Sequence, residues 1–421
     1  MRFSCNLCLI KTREIFLSMR ILFSHSNFPA QFRRLIPALL SNGHEIVFLC
    51  SQKEWHAPPL SPGLRLLPYK VHRVSKQEFI HPYLRRFEDV VLNGQAAFRA
   101  AKQLKSEGWE PDVIISHIGF GSGLYLPDCF PKAKKIGTLE WFYRPYGSDV
   151  DFLNHGLVED DRKLRLRTWN AQLLLEAESC DCLITPTQWQ WQQLPLPLQE
   201  RAQILHEGID YLGLSSLRKS SQPLLEVLPQ NQEIEWVTYV SRGFEEYRGF
   251  PQAVKALELI QKKRPNVHLA IAGSDIVAYG SGREDGRTWK KWALEDLDLD
   301  PHRTHWLGPI QESEYHSLLA HSKAHLYITI PFVLSWSLIE AMAVGCSIVS
   351  STTPPVEEVL QNEENALLVD FWDSFAQANA LERLLSNPSE AINLGLKASQ
   401  SAKKYSFEDS FKSWESILLN L

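Results

Sequence analysis

Residues 19–50 read MRILFSHSNFPAQFRRLIPALLSNGHEIVFLC. Arg20 to His25 opens as a short apolar run. Phe32, Leu35, Ile36, Leu39 and Leu40 then recur at helical spacing, Asn42-Gly43 supplies a helix stop, and Glu45 to Cys50 is a second apolar run. Strand, helix, strand in so short a span is a βαβ unit, and such a unit implies a parallel sheet covered by helices on its faces. Outward from it, Asp112 to Ser116, Lys135 to Leu139, Cys182 to Thr185 and Gln203 to His206 read as further strands of one doubly wound domain. A second series follows the loop His206-Glu207-Gly208-Ile209-Asp210 and a polar stretch, Ser215 to Pro223, that reads as a linker. Its strands are Glu235 to Val240, Val267 to Ala272, Thr304 to Leu307, Ala324 to Thr329 and Ser347 to Ser350. The expected fold class is α/β, with two doubly wound, Rossmann-like domains facing a cleft. Ser406, with Asp409 three residues on, resembles a capping box, and Phe407, Phe411, Trp414 and Leu418 then share one helical stripe. The chain ends in a helix that needs a docking surface.

Composition agrees with this reading and narrows the function. A length of 421 residues suits two or three domains, and 44% hydrophobic content lets each build a core. The 44 Lys and Arg against 49 Asp and Glu leave a formal charge of −5, with no cation excess to neutralise a phosphate backbone, so nucleic acid is excluded as the main partner. Seven cysteines are too few for a disulfide scaffold, and an odd number suits a reducing compartment, which makes the expected location cytoplasmic. No apolar run reaches the roughly 18 to 20 residues that span a bilayer. In residues 1–18, Lys11, Arg13 and Glu14 break the apolar stretch, giving a poor secretory signal. The reading is a leader outside the fold, with translation starting at Met19, and Cys5 and Cys8 form a CxxC with no second pair.

Two loops carry the chemistry. After the strand Glu235 to Val240 comes Ser241-Arg242-Gly243-Phe244-Glu245-Glu246-Tyr247-Arg248-Gly249, with a helix from about Phe250. Two arginines beside glycines at a strand-to-helix turn suit a di-anion, because guanidinium forks match phosphate oxygens and glycine lets the backbone come close. The alternative is that Glu245 and Glu246 pair these arginines on a solvated loop. After the strand Ala324 to Thr329, Ser335 is placed to cap a helix that begins Trp336-Ser337, and Glu340 lies among apolar neighbours just over one turn in. A carboxylate there needs a partner, and ribose hydroxyls and an internal Arg or Lys are equal candidates.

These residues resemble a known family. Glu340-Ala341-Met342-Ala343-Val344-Gly345, the Arg-Gly loop from Arg242, His206-Glu207-Gly208-Ile209-Asp210 and His305-Trp306-Leu307-Gly308 fall in the order and approximate spacing of the group 1 (family 4) retaining glycosyltransferases of the GT-B fold. The resemblance runs from about Met19 to the end and is most specific between residues 235 and 370. It implies a hexosyl or other glycosyl transfer with retention of configuration, from a nucleotide-sugar donor to a saccharide, lipid-linked or small-molecule acceptor, without a metal or other cofactor. A lipid-linked acceptor is compatible with peripheral contact at the cytoplasmic membrane face. It also implies the division 19–208 for an acceptor-side domain, 209–400 for a donor domain and 401–421 for a helix crossing back to the first.

Carried over by position, Arg242 and Arg248 resemble the basic pair on the donor diphosphate, although the usual second residue is a lysine one position nearer. Gly243, Ser335, Trp336 and Ser337 supply close backbone, Glu340 resembles the glutamate that holds the ribose, and Pro309 and Ile310 fall where the base is met. The family's first glutamate would fall at 332, which here is Phe332. In the N-terminal half, His117 closes a strand ahead of Ile118-Gly119-Phe120-Gly121-Ser122-Gly123 and is the expected catalytic-side residue there, with a structural histidine as the alternative. Asn27, Glu140, Tyr143 and Arg144 are acceptor-side candidates, packing being the equal alternative for the last three.

Two features are set aside. Asp149-Val150-Asp151 and the run Asp296, Asp298, Asp300 resemble a metal-binding DxD but read as solvated turns. Of thirteen tryptophans most should pack, and Trp189 and Trp191, on a polar stretch, are the pair to test for an exposed role. The rival functions are a binding protein of the same fold that has lost catalysis, as Phe332 suggests, and a nucleotide-sugar epimerase. An NAD oxidoreductase is disfavoured because the glycines after His117 do not make GxGxxG.

Overall fold

The computed structural model describes residues 18–51, 62–73, 76–219 and 223–421. The leader reading, with Cys5 and Cys8, falls outside the described residues. Among those described, seven parallel strands form a first sheet: β1 (Arg20–Ser24), β2 (Glu45–Ser51), β3 (Leu64–Tyr69), β4 (Val113–His117), β5 (Lys134–Thr138), β6 (Cys182–Thr185) and β7 (Ala202–Ile204), in the order β3-β2-β1-β4-β5-β6-β7. Six more form a second sheet: β8 (Glu235–Gly243), β9 (Val267–Ser274), β10 (Thr304–Gly308), β11 (Ala324–Tyr327), β12 (Ile348–Ser351) and β13 (Leu367–Val369), in the order β10-β9-β8-β11-β12-β13. These are two parallel, doubly wound, Rossmann-like units. Their strand orders reverse between β1 and β4 and between β8 and β11, where loops part and open a crevice at the carboxyl ends.

The β1 strand shows why Ile21, Leu22 and Phe23 are consecutive apolar residues. Ile21 and Phe23 point into a cluster with Phe32, Leu35, Ile36 and Leu39, while Leu22 points to the other face, against Ala96, Ala97, Ala101 and Leu104 of the helix Arg85–Ser106. Period-2 alternation between two covered faces needs apolar residues at both parities. Two strands escape the sequence reading, β3 and β13, and both are sheet edges. An edge strand need satisfy only one neighbour, so β3 tolerates Pro68 and alternates in exposure, and β13 needs only three residues.

The final helix, Phe407–Leu419, starts where Ser406 Oγ accepts from the Asp409 N–H at 3.3 Å. Its Trp414, Ile417 and Leu418 join the cluster of Ile21, Phe23 and Phe48 in the first sheet. The chain thus passes twice between the units, and the passages are stitched together. Ile209 donates to the Tyr405 carbonyl (2.9 Å) and Phe407 donates to the Ile209 carbonyl (2.8 Å). Gly208 permits this, because its φ is +81° and a Cβ there would lie 2.6 Å from Cα of Phe407.

Candidate active site between the sheets

The β8/β11 crevice holds a cavity of about 100 Å³ lined by Tyr239, Val240, Ser241, Arg242, Arg248, Tyr279, Tyr327, Ile328, Ser335 and Ser337. The strand β8 runs three residues further than Val240, with a register shift that puts Ser241 to Gly243 at the rim. A Cβ on Gly243 would come 2.6 Å from the Ile276 carbonyl, so only glycine lets these backbones meet. Arg242 is exposed and forms no ion pair with a described residue. Arg248 is buried, its Nη1 donating to the Val333 carbonyl (2.9 Å) and Thr329 Oγ1 (3.2 Å), and its guanidinium lies over the Tyr279 ring at 5.4 Å. The expected alternative partner Glu245 is used elsewhere: it is fully buried and accepts from the backbone N–H of Tyr279 and Gly280. Glu246 faces Arg283, and although the Glu245 charge reaches Arg248, neither Arg242 nor Arg248 forms an ion pair with a described residue, which leaves their charge to the cavity. Opposite them, Ser335 caps the helix Trp336–Val344, accepting from Ser337 N, so the free N–H groups of its first turn lie at the same cavity.

Glu340 does not line this cavity. It is buried, and its Oε1 lies 3.4 Å from Arg33 Nη2 and 3.6 Å from Arg34 Nη2, two arginines that follow β1 in the other unit. The guanidiniums also sit over Trp336, at 5.0 and 5.8 Å from its ring centroid, and Arg33 reaches Glu312 at 3.2 Å. Glu312, His316 and Glu340 offer ligand atoms within 4.8 Å of one another. Arg33 already bonds both carboxylates, so a cation there would have to displace a guanidinium. Pro309 is exposed and Ile310 half-buried against the cluster of Trp236 and Leu318; neither lines the cavity. Phe332 is buried in an aromatic group, 4.8 Å from Trp141, 4.9 Å from Tyr247 and 5.3 Å from Tyr279, ring centre to ring centre.

Across the interface, the ends of β4 and β5 enclose a smaller cavity of about 20 Å³, lined by Gln31, His117, Thr138, Glu140 and Glu207 among apolar residues. His117 is buried, 3.6 Å from Glu140 Oε2, with its ring edge toward His25 at 5.1 Å. Burial alone would raise the Glu140 pKa, but His117 and the amide of Gln31, which donates at 2.7 Å, hold it down at about 2. Burial also works against a charged His117, yet Glu140 outweighs it and its pKa lies above the usual imidazole value. His25, with no such partner, is pushed down to about 3 by burial and by His117.

Glu207 is driven the other way. Burial, then the negative charge of Glu140, push it up to about 7. A carboxyl whose folded pKa is raised binds its proton more tightly folded than unfolded, so its contribution to stability is complete below about 4.5 and is lost as pH rises through 7. Glu207→Gln should therefore gain roughly 1 to 3 kcal/mol on the parent between pH 4.5 and pH 8. Urea unfolding of both proteins at the two pH values checks this, and parallel changes would refute it.

Several residues lie elsewhere than the sequence suggests. Asn27 is exposed, and its backbone N–H donates to His25 Nδ1 (2.8 Å). Tyr143 takes a hydrogen bond from Arg86 (2.8 Å) and packs on Trp169, and Arg144 Nε donates to the Gln193 carbonyl (2.7 Å). Neither Tyr143 nor Arg144 reaches the His117 cavity. Trp189 is not exposed but buried, 6.5 Å from Trp141, because the polar stretch around it forms the helix Gln188–Gln193 against the other unit, where Glu358 accepts its first N–H groups. Asp149 is no solvated turn residue: it is buried and accepts a 2.6 Å bond from the Tyr247 hydroxyl across the interface. Asp296, Asp298 and Asp300 are in exposed or rim ion pairs, as expected. Arg33, Arg34, Tyr279 and Glu207 are the members the sequence reading missed.

The model of a family described as "Glycosyl transferase family 4 group" matches residues 42–212, and that of "Glycosyl transferases group 1" matches residues 224–405. An uncharacterised glycosyltransferase of Haemophilus influenzae is 26% identical over 198 residues, covering 46% of this chain and 52% of that relative. The sucrose-phosphate synthase of Thermosynechococcus elongatus superposes with a TM-score of 0.71 at 18% identity, over 96% of this chain and 98% of that one. A UDP-forming trehalose-phosphate synthase from Burkholderia xenovorans gives 0.69 at 16% over 96% and 99%. Anabaena HepE, in complex with UDP and glucose, gives 0.64 at 15% over 96% and 100%. At these identities the solved structures show the fold. With one family match on each sheet, the chain belongs to the group 1 glycosyltransferases, built on the GT-B fold.

Proposed function

We propose that this protein transfers a sugar from a nucleoside-diphosphate sugar to a saccharide, lipid-linked or small-molecule acceptor, with retention of configuration and without a metal. The observation that carries the reading is the cavity in which Arg242, Arg248 and the helix start at Ser335 to Ser337 bring positive charge together at a strand-order reversal. Breaking the bond from the anomeric carbon to the diphosphate oxygen leaves negative charge on that oxygen, and fixed donors aimed there stabilise it. The acceptor hydroxyl forms the new bond on the face being vacated and passes its proton to a departing phosphate oxygen. In this scheme 209–400 holds the donor, with the base near Pro309 and Ile310, and 19–208 holds the acceptor near His117. The place of work is the cytoplasm or the inner membrane face; no helix among the described residues is long and apolar enough to cross a membrane.

A panel of nucleoside diphosphates and nucleotide sugars tests the donor reading by protection against thermal unfolding. At a hundredfold excess over Kd a true ligand stabilises by about 2.7 kcal/mol. UDP is the first to try, as the HepE structure contains it. No protection by any of them would end the proposal. Chelators should leave turnover intact, and strict dependence on Mn²⁺ or Mg²⁺ would overturn that part. A ribose role for Glu340 requires it to exchange Arg33 and Arg34, which hold it outside the cavity, for the ribose hydroxyls; Glu340→Gln should then weaken nucleotide binding by about 1.5 to 3 kcal/mol, because ribose hydroxyls do not change charge during transfer. Unchanged affinity by calorimetry would remove Glu340 from the site.

A second reading is favoured by Phe332. Its ring fills the space between Trp141, Tyr247 and Tyr279 with apolar surface, where a carboxylate would present hydrogen-bond acceptors. A protein that binds nucleotide without transfer would look the same, and release of nucleoside diphosphate from the donor separates the two.

A further inference from the structure

The cavity beside His117 has a definite capacity. At about 20 Å³ it takes one water-sized group and excludes a sugar ring. Its polar wall is underused: Nδ1 of His117 and Oε1 of Gln31 are buried without a hydrogen-bond partner among the described residues, and Nε2 of His117 has only the long 3.6 Å ion pair with Glu140. Buried polar groups are normally paired, so this wall is shaped for a small group that both donates and accepts. A hydroxyl fits that description.

The two carboxyls of the wall are not equivalent. Glu140 is committed to Gln31 and lies beside His117. Glu207 comes from the segment joining the two units, and the hydrogen bond it takes from another side chain is that of Trp336 Nε1, at 3.1 Å. Trp336 is the first residue of the helix whose N–H groups serve the larger cavity. The other titratable or charged groups around Glu207 are Glu140, His117, His206, whose Nε2 is 3.9 Å away, and Arg34, whose Nη1 donates to the Gly208 carbonyl.

We propose that Glu207 holds the attacking hydroxyl of the acceptor in this cavity, together with His117, and that its bond to Trp336 fixes that hydroxyl relative to the donor. The proposal rests on the transferase reading. Ionised, Glu207 can only accept a hydrogen bond from the hydroxyl; protonated, it also offers an O–H of its own and is a weaker acceptor, so the two forms grip the hydroxyl differently. Its rise to about 7 puts that change inside the working range.

Water is the smallest acceptor and fits the cavity, so donor hydrolysis is a sufficient assay. The full-length chain and its Glu207→Gln variant are compared for UDP affinity by calorimetry and for UDP release from UDP-glucose in water, between pH 5.5 and 8.5. The expected result is an affinity kept within about twofold, release slower on the order of 10²-fold, and loss of the rate change near pH 7. Trp336→Phe, which keeps the carboxyl but removes its anchor, should slow release by about tenfold and leave the pH dependence in place. Equal losses of affinity and rate in Glu207→Gln would mark Glu207 as a purely structural link and overturn the proposal, as would an unchanged rate or pH profile. A parent chain that neither binds UDP nor releases it from UDP-glucose would refute the UDP-donor transferase reading, and this proposal with it.

Discussion

Arg242→Ala should lower turnover by about 10²- to 10³-fold, roughly 3 to 4 kcal/mol, while leaving the fold intact. The expectation follows from its setting. Arg242 stands at the rim of the cavity between β8 and β11, proposed to hold the donor, exposed and without an ion-pair partner among the described residues, so its removal opens no void and strands no buried acceptor. What it removes is positive charge that is needed most as the diphosphate departs. Arg248 is the contrasting case. Losing its guanidinium would also leave the Val333 carbonyl and Thr329 without their donor, so its alanine variant confounds catalysis with stability. Turnover at saturating donor, measured beside the melting temperature, checks the prediction. Unchanged turnover in a normally folded Arg242→Ala would mean that the diphosphate lies elsewhere.

Trp414→Ala should cost about 3 to 5 kcal/mol of stability, the usual range for removing a large buried aromatic. The indole is 5% exposed, packs in the cluster of Ile21, Phe23 and Phe48, and also lines the small cavity beside His117. Its loss both withdraws apolar contact and enlarges a space sized for a hydroxyl. Urea unfolding gives the first effect directly. A loss under about 1 kcal/mol would show that the last helix is an appendage to the first sheet, not part of its core.

The residues differ in how much of this they disclose in sequence. The runs Arg20 to His25 and Glu235 to Val240 could be read as strands because both faces of a central parallel strand are covered, which puts apolar residues side by side, as in Ile21-Leu22-Phe23 and Trp236-Val237. The edge strands β3 and β13 carry no such signal, since one side meets no neighbour. Ser335 and Ser337 were legible for the same local reason, a capping residue at the start of an apolar helix. Arg33 and Arg34 were not. Their partner Glu340 lies 307 residues from Arg33 in a helix of the other unit, and nothing in RRLIPALL distinguishes a cross-unit ion pair from a solvated one. Trp189 and Asp149 failed for a related reason: each sits in a polar stretch that reads as surface, and each is buried by the meeting of two units whose separate patterns say nothing about their contact. Glu207 was visible as part of a loop, but its role depends on Trp336 and Glu140 converging from opposite sides.

The docking of Phe407–Leu419 on the first sheet has a consequence for the order of events during synthesis. A chain leaves the ribosome from its N-terminus, and domains generally fold in that order. Here Ile21, Phe23 and Phe48 emerge before the second sheet, while Trp414, Ile417 and Leu418, which help to cover the same face, emerge after it. Until they arrive, the part of that face which Phe32, Leu35, Ile36 and Leu39 leave uncovered stays open while the second sheet is translated. The first unit therefore completes its core only once the second has been made, and the open part of that face is what aggregation or a chaperone would meet in the interval.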